Sequence, residues 1–175
     1  MNKTWIAEIT VWANVIALGI LVGATVYQMQ VIVPEYEREA PRGMAAFAAG
    51  PVLPANFWTS FSTRVLEMVP FLALALNWNT PRRKWLLATA LLCLCYYAAT
   101  GLYFVPRLKV MGQTVPRMLT TDMALLEVTV REWLWADQIR FWAGMVPSLL
   151  TAMKAMTVTN GRPTRGQAVG QGGGN

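Results

Sequence analysis

Two charged pairs stand inside otherwise apolar stretches of this sequence, Arg64 with Glu67 and Asp137 with Arg140. The members of each pair are three residues apart, hence on one face of a helix, and the order of signs is reversed between the pairs. A carboxylate made more basic by desolvation can abstract a proton, and a guanidinium beside it can stabilise the anion that results. Asp137, Arg140, Glu67 and Arg64 are therefore the candidate catalytic residues. Aromatic side chains crowd the same stretches: Trp133, Trp135 and Trp142 surround the second pair, Trp58 precedes the first, and Tyr103 ends an apolar run between them. These five are the candidate walls of a substrate pocket. The plainer alternatives are an ion-pair clasp between helices and an aromatic belt at a membrane surface.

Much other chemistry has no residues to run on. The chain has no histidine, which removes the commonest metal ligand, the usual axial haem ligand and the usual neutral-pH base. Its two cysteines, Cys93 and Cys95, point about 200° apart on a helix and read as small buried hydrophobes. No metal site and no cofactor is expected. The net charge of +6 is interrupted by long apolar runs instead of lining one solvated face, so nucleic acid is not the expected partner.

The elements that would position the charged residues are membrane spans. With 55% hydrophobic and 14% charged residues and a mean hydropathy of +0.37, the chain is more apolar than a soluble domain, where about 25% of residues are charged. Apolar runs at roughly 9–33, 57–78, 85–104 and 133–156 predict an all-α, four-transmembrane-helix bundle over residues 1–157, followed by a Gly-rich polar tail at 158–175. Val33-Pro34 and Val105-Pro106 are expected to stop the first and third spans. Two long loops follow these stops. The small-residue patch at 44–50 reads as a short interfacial helix, and Thr120 or Thr121 as the cap of another helix. Lys3, Arg82, Arg83, Lys84, Lys154, Arg162 and Arg165 fall with Glu8 on the side carrying both termini, so the whole net charge lies there. The positive-inside rule makes that side cytoplasmic and the long loops outer. The bilayer is the first partner, and a multi-pass protein of a bacterial inner membrane is the expected location.

The second and fourth spans then run in the same direction. Placed side by side, they would set Arg64 opposite Asp137 and Glu67 opposite Arg140 in a neutral network near the outer face. Pro34 to Arg64 is 30 residues and Pro106 to Asp137 is 31, as two repeated hairpins would give.

Three pieces of the chain carry a resemblance: Gly23-Ala24 through Val33-Pro34; Arg64 followed by Met68-Val69-Pro70-Phe71-Leu72-Ala73-Leu74; and Val105-Pro106 with the later Trp133 and Arg140. In these the chain resembles the anthrone-oxygenase-like family of small four-helix membrane proteins, whose bacterial members mostly lack an assigned activity. It departs from them at Arg107-Leu108, where such proteins often continue Val-Pro with Ile-Asn. It departs again at Asp137, where they tend to carry a histidine. The resemblance implies a cofactor-independent oxygenase acting on an aromatic, quinone-like or lipid-soluble substrate, with Asp137 left as the base. A different reading is a non-catalytic subunit of a larger membrane assembly or a homo-oligomer, packed through Gly19, Gly23, Ala24 and the alanines of the third span. Transport is a third and weaker reading.

Overall fold

The computed structural model describes residues 3–34, 57–58, 60–107 and 123–158. The expected interfacial helix at 44–50, the cap at 120–121 and the Gly-rich tail lie outside these residues. Among the described residues the fold is all-helical, with four helices. Helix α1 covers Lys3–Tyr27 and continues through a π-helical turn, Gln28–Ile32. Helix α2 is Phe61–Leu76. Helix α3 covers Arg83–Ala99 and a second π-helical turn, Thr100–Phe104. Helix α4 covers Met123–Arg140, a third π-helical turn at Phe141–Met145, and Val146–Thr157. The segments Trp5–Ile32 and Arg83–Arg107 are long and apolar enough to cross a membrane.

Helix α2 begins later than hydropathy predicts because Ser60 caps it. Its hydroxyl accepts from the Thr63 backbone N–H at 3.2 Å, satisfying a donor that the first helical turn leaves free. Phe57 and Trp58 stay ahead of the cap.

The prolines do something other than stop helices. Val33-Pro34 and Val105-Pro106 both remain helical, each two residues beyond a π-helical turn, and Val146-Pro147 stands in the same relation to the third turn. In all three the valine N–H bonds five residues back, to Gln28, Thr100 and Phe141 respectively. A proline in an ordinary α-helix loses one bond and pushes its ring against the carbonyl four residues earlier. Widening the preceding turn by one residue carries that carbonyl aside, so the helix continues. The expectation that Val-Pro terminates the first and third spans is corrected accordingly. Val69-Pro70 repeats the motif in α2, where the helix carries a buried proline with no such turn recorded.

The helices pack in a ring. α1 contacts α2 and the C-terminal half of α4, and α3 contacts the same two helices from the other side. Neighbours are antiparallel, as the bonds between them show: Asn77 at the end of α2 reaches Ala7 and Thr10 near the start of α1, while Trp58 reaches Gln28. A layer of Val11, Ala73, Leu86 and Ala155 takes one residue from each helix. A larger cluster of Leu18, Leu21, Cys93, Tyr96, Phe141, Met145 and Ala152 fills the rest of the core. α2 and α4 therefore lie across the diagonal, so the expected side-by-side placement does not occur.

At one end the α2–α3 turn is tied to both neighbours. Arg82, only 4% exposed, donates from Nε to the Val158 carbonyl at 2.8 Å and from Nη1 to Glu8 Oε2 at 2.5 Å. A buried guanidinium with two acceptors holds the starts of α1 and α3 against the end of α4.

A candidate site around Arg140

At the opposite end, α4 places Trp133, Asp137 and Arg140 on one face, at spacings of four and three residues. Asp137 is buried, 5% exposed, and accepts from Arg140 Nη2. Arg140 Nη1 donates to Thr100 Oγ1 at 2.5 Å. The guanidinium carbon lies 4.5 Å from the centre of the Tyr96 ring and 4.0 Å from that of Phe104, close enough for cation–π attraction to both. One cation is thus held by a carboxylate, a hydroxyl and two ring faces.

Helix α3 supplies most of this setting. Tyr96 and Thr100 are one turn apart, and the π-helical turn after Ala99 brings Phe104 onto the same side. Gly144 leaves room for the tyrosine, because a Cβ there would sit 3.3 Å from Tyr96 Cδ2. Tyr96 also lies beside Thr25 of α1 and within electrostatic reach of Glu67, Asp137 and Arg140. All four helices meet around this ring.

The charged quartet is wired differently from the sequence expectation. Arg64 Nη1 pairs with Glu67 Oε2 at 2.7 Å within α2, and Arg140 pairs with Asp137 within α4. Neither expected cross-pair, Arg64 with Asp137 or Glu67 with Arg140, forms, because the two helices are diagonal. The Arg64 side chain is 61% exposed and turns outward, whereas Glu67 is 15% exposed and lies within electrostatic reach of Tyr96 and Tyr97. Three of the four charges therefore converge on the interior.

The aromatic residues also separate. Trp135 and Tyr103 share a groove of about 760 Å³ with Arg107, Arg131 and Glu132. A hollow of about 480 Å³ adjoins it through Tyr103, Trp135 and Ala136, and reaches Tyr96, Phe104 and Arg140. Arg107 stacks over Tyr103 at 4.1 Å and donates to its hydroxyl at 2.5 Å. Trp133 is buried behind Phe104, edge to face with ring centres 5.7 Å apart. Trp142 is 64% exposed and joins Trp135 in a shallower depression. Trp58 does not reach the groove: its Nε1 donates to Gln28 Oε1 at 2.7 Å on the α1–α2 side. Of the five expected walls, Tyr103 and Trp135 line the groove, Trp133 backs it, Trp142 lies on the neighbouring surface, and Trp58 is elsewhere.

Tyr96, Thr100 and Phe104 are the site residues that sequence reasoning missed. The spacing of Tyr96, Thr100 and Tyr103 suits one helical face, a usable signal, but Phe104 joins only through the π-helical turn. Cys93 is buried and Cys95 exposed, and both are free. Among the described residues no cluster of three or more acidic or cysteine side chains is arranged to hold a metal ion. No family model, no curated protein and no solved structure matches this chain.

Proposed function

We propose that this chain is a four-span integral membrane protein, with both termini cytoplasmic and the Arg140 end outward, that takes a planar lipophilic aromatic or quinone-like ligand in the groove between α3 and α4. The observation that carries the reading is the Asp137–Arg140 pair, buried beneath that groove with its guanidinium between two aromatic rings. A cation in low dielectric beside a hollow lined by Tyr96, Phe104 and Trp135 suits a flat molecule carrying a phenolic or carbonyl oxygen. In the catalytic form of the reading, Asp137 takes a C–H proton from the ligand, Arg140 stabilises the resulting enolate oxyanion, and dioxygen bonds to the carbanion carbon to give a peroxide that takes back the proton and loses water, leaving the oxidised ring carbonyl. The three segments that resemble anthrone-oxygenase-like proteins support that form, while Asp137, where those proteins tend to carry a histidine, departs from them and makes the base a carboxylate. A multi-pass protein of a bacterial inner membrane is the setting it fits. The test is oxygen uptake by purified protein supplied with anthrone or a hydroquinone. Uptake that D137N and R140Q abolish is the expected result, and no uptake above protein-free detergent with any such substrate would overturn the catalytic form.

A second reading, an accessory subunit of a larger membrane assembly, is favoured by the outer surface of α1. Gly19 and Gly23, four residues apart, are exposed, and a Cβ at either would meet nothing within 4 Å. Membrane helices approach most closely over such glycine pairs. Copurification of a partner in mild detergent, abolished by replacing both glycines with leucine, would support this reading; a monomer unaffected by the change would remove it.

A further inference from the structure

Two arginines face one continuous space from different depths. Arg140 commits Nη1 to Thr100 and Nη2 to Asp137, while its buried Nε has no acceptor among the described residues. An N–H so placed is a donor that a ligand oxygen can satisfy. Arg107 stands at the other end of the space. It closes the segment Arg83–Arg107 that is long and apolar enough to cross a membrane, and it is exposed along the groove of about 760 Å³. Stacking on Tyr103 and donation to the phenol oxygen fix where its guanidinium lies. The Tyr103 hydroxyl, having accepted from Arg107, keeps its own O–H to donate. On the α4 wall Arg131 and Glu132 offset each other in charge, so Arg107 leaves the groove positive. Such a mouth favours an anion.

The separation of the two arginines limits what can touch both. Arg107 lies 4.1 Å from the centre of the Tyr103 ring, that ring 4.9 Å from Phe104, and Phe104 4.0 Å from Arg140. Laid end to end, these contacts put the two guanidinium carbons no more than about 13 Å apart. An oxygen bound by a guanidinium stands about 3.5–4 Å from its carbon, which leaves a gap that two or three fused rings fill. Tyr103, Trp135 and Ala136 line both the groove and the hollow beside Arg140, so one molecule can occupy the two.

We infer that the ligand of this site is an aromatic acid: a flat fused-ring molecule whose carbonyl or phenolic oxygen meets Arg140 and whose carboxylate, at the other end, meets Arg107 and the Tyr103 hydroxyl. The inference rests on the reading of this groove as a quinone-like ligand site and adds the acid. In a bilayer the carboxylate lies at the water boundary with the rings below it, where a charge costs least. The test is fluorescence titration of the full chain in non-ionic detergent with anthraquinone-2-carboxylate and with anthraquinone, its uncharged parent. R107Q is expected to weaken binding of the carboxylate at least about tenfold more than binding of anthraquinone, a comparison in which the detergent partitioning of each compound cancels. On wild-type protein, which needs no variant to fold, added salt is expected to weaken the carboxylate alone, since Arg107 is exposed. Equal effects of R107Q on the two compounds, or an equal response of both to salt, would overturn the inference. If anthraquinone binds and R140Q weakens it while the carboxylate is indifferent to R107Q, the acid alone is discarded; if neither compound binds saturably, the ligand reading of the groove falls with it.

Discussion

Arg140 and Arg64 show how far burial separates two residues of one chemistry. Each pairs with a carboxylate three positions away, yet the Arg140–Asp137 side chains are 15% and 8% exposed and the Arg64 side chain 61%. Breaking a buried pair strands a charge, so D137N is expected to cost about 3–5 kcal/mol of stability. R64A, at an exposed pair, is expected to cost no more than about 1 kcal/mol. Thermal melts in detergent compare them directly; equal losses would mean that Arg64 shares the inner network after all. The chemical content of this site was legible in the sequence, since ionisable residues in apolar runs stand out and the i, i+3 spacing fixed each pair to one helix face. The pairing across helices was not legible. It depends on which helices are neighbours, and two parallel spans can be adjacent or diagonal with the same hydropathy profile.

At the scale of elements, the Val-Pro steps shape the site without ending helices. The turn Phe141–Met145 sits between Arg140 and Pro147 and sets the rotation of the Asp137–Arg140 face relative to the core face of Met145 and Ser148. Removing one residue from that turn would rotate the two faces by about 100°. Alanine in place of a helix-interior proline normally stabilises, by up to about 3 kcal/mol. Here P147A is expected to lower the melting temperature instead, with helical circular dichroism retained, because a regular helix would carry Arg140 off Tyr96 and Phe104. A rise in melting temperature would show that the turn is not what holds the site. G144A should have a smaller effect of the same sign, since its Cβ would press on Tyr96 from 3.3 Å. The Val-Pro steps at Pro34, Pro70, Pro106 and Pro147 are plain in the sequence, but a proline that ends a helix and one that widens it look alike there. Only the valine N–H bonds, five residues back, tell them apart.

At the scale of the whole molecule, the two ends of the bundle are built differently. The Arg82 end is closed by one buried guanidinium that ties the α2–α3 turn to Glu8 and Val158, while the Arg140 end opens into a groove. R82Q is expected to lower stability by about 2–5 kcal/mol, since it leaves Glu8 unpaired and the Val158 carbonyl without its donor, and to leave ligand binding at the far end unchanged. A melt paired with a binding titration reads both; loss of binding at preserved stability would contradict this division of labour. Composition and the long apolar runs predicted the helical class and four spans, of which two described helices, Trp5–Ile32 and Arg83–Arg107, are long and apolar enough to cross a membrane. The groove could not be foreseen, because it is lined jointly by Tyr103 and Arg107 of α3 and Arg131 and Trp135 of α4, and hydropathy does not say which helices are neighbours.

Whether Arg140 receives a ligand is read most directly by fluorescence titration, because Trp135 lines the groove. Purified protein titrated with a hydroquinone or anthrone is predicted to show saturable quenching, and R140Q, measured under conditions where it remains folded, to bind at least about tenfold more weakly, as expected for losing a desolvated charge-assisted hydrogen bond. Quenching that does not saturate, or equal affinity in folded R140Q, would contradict the account.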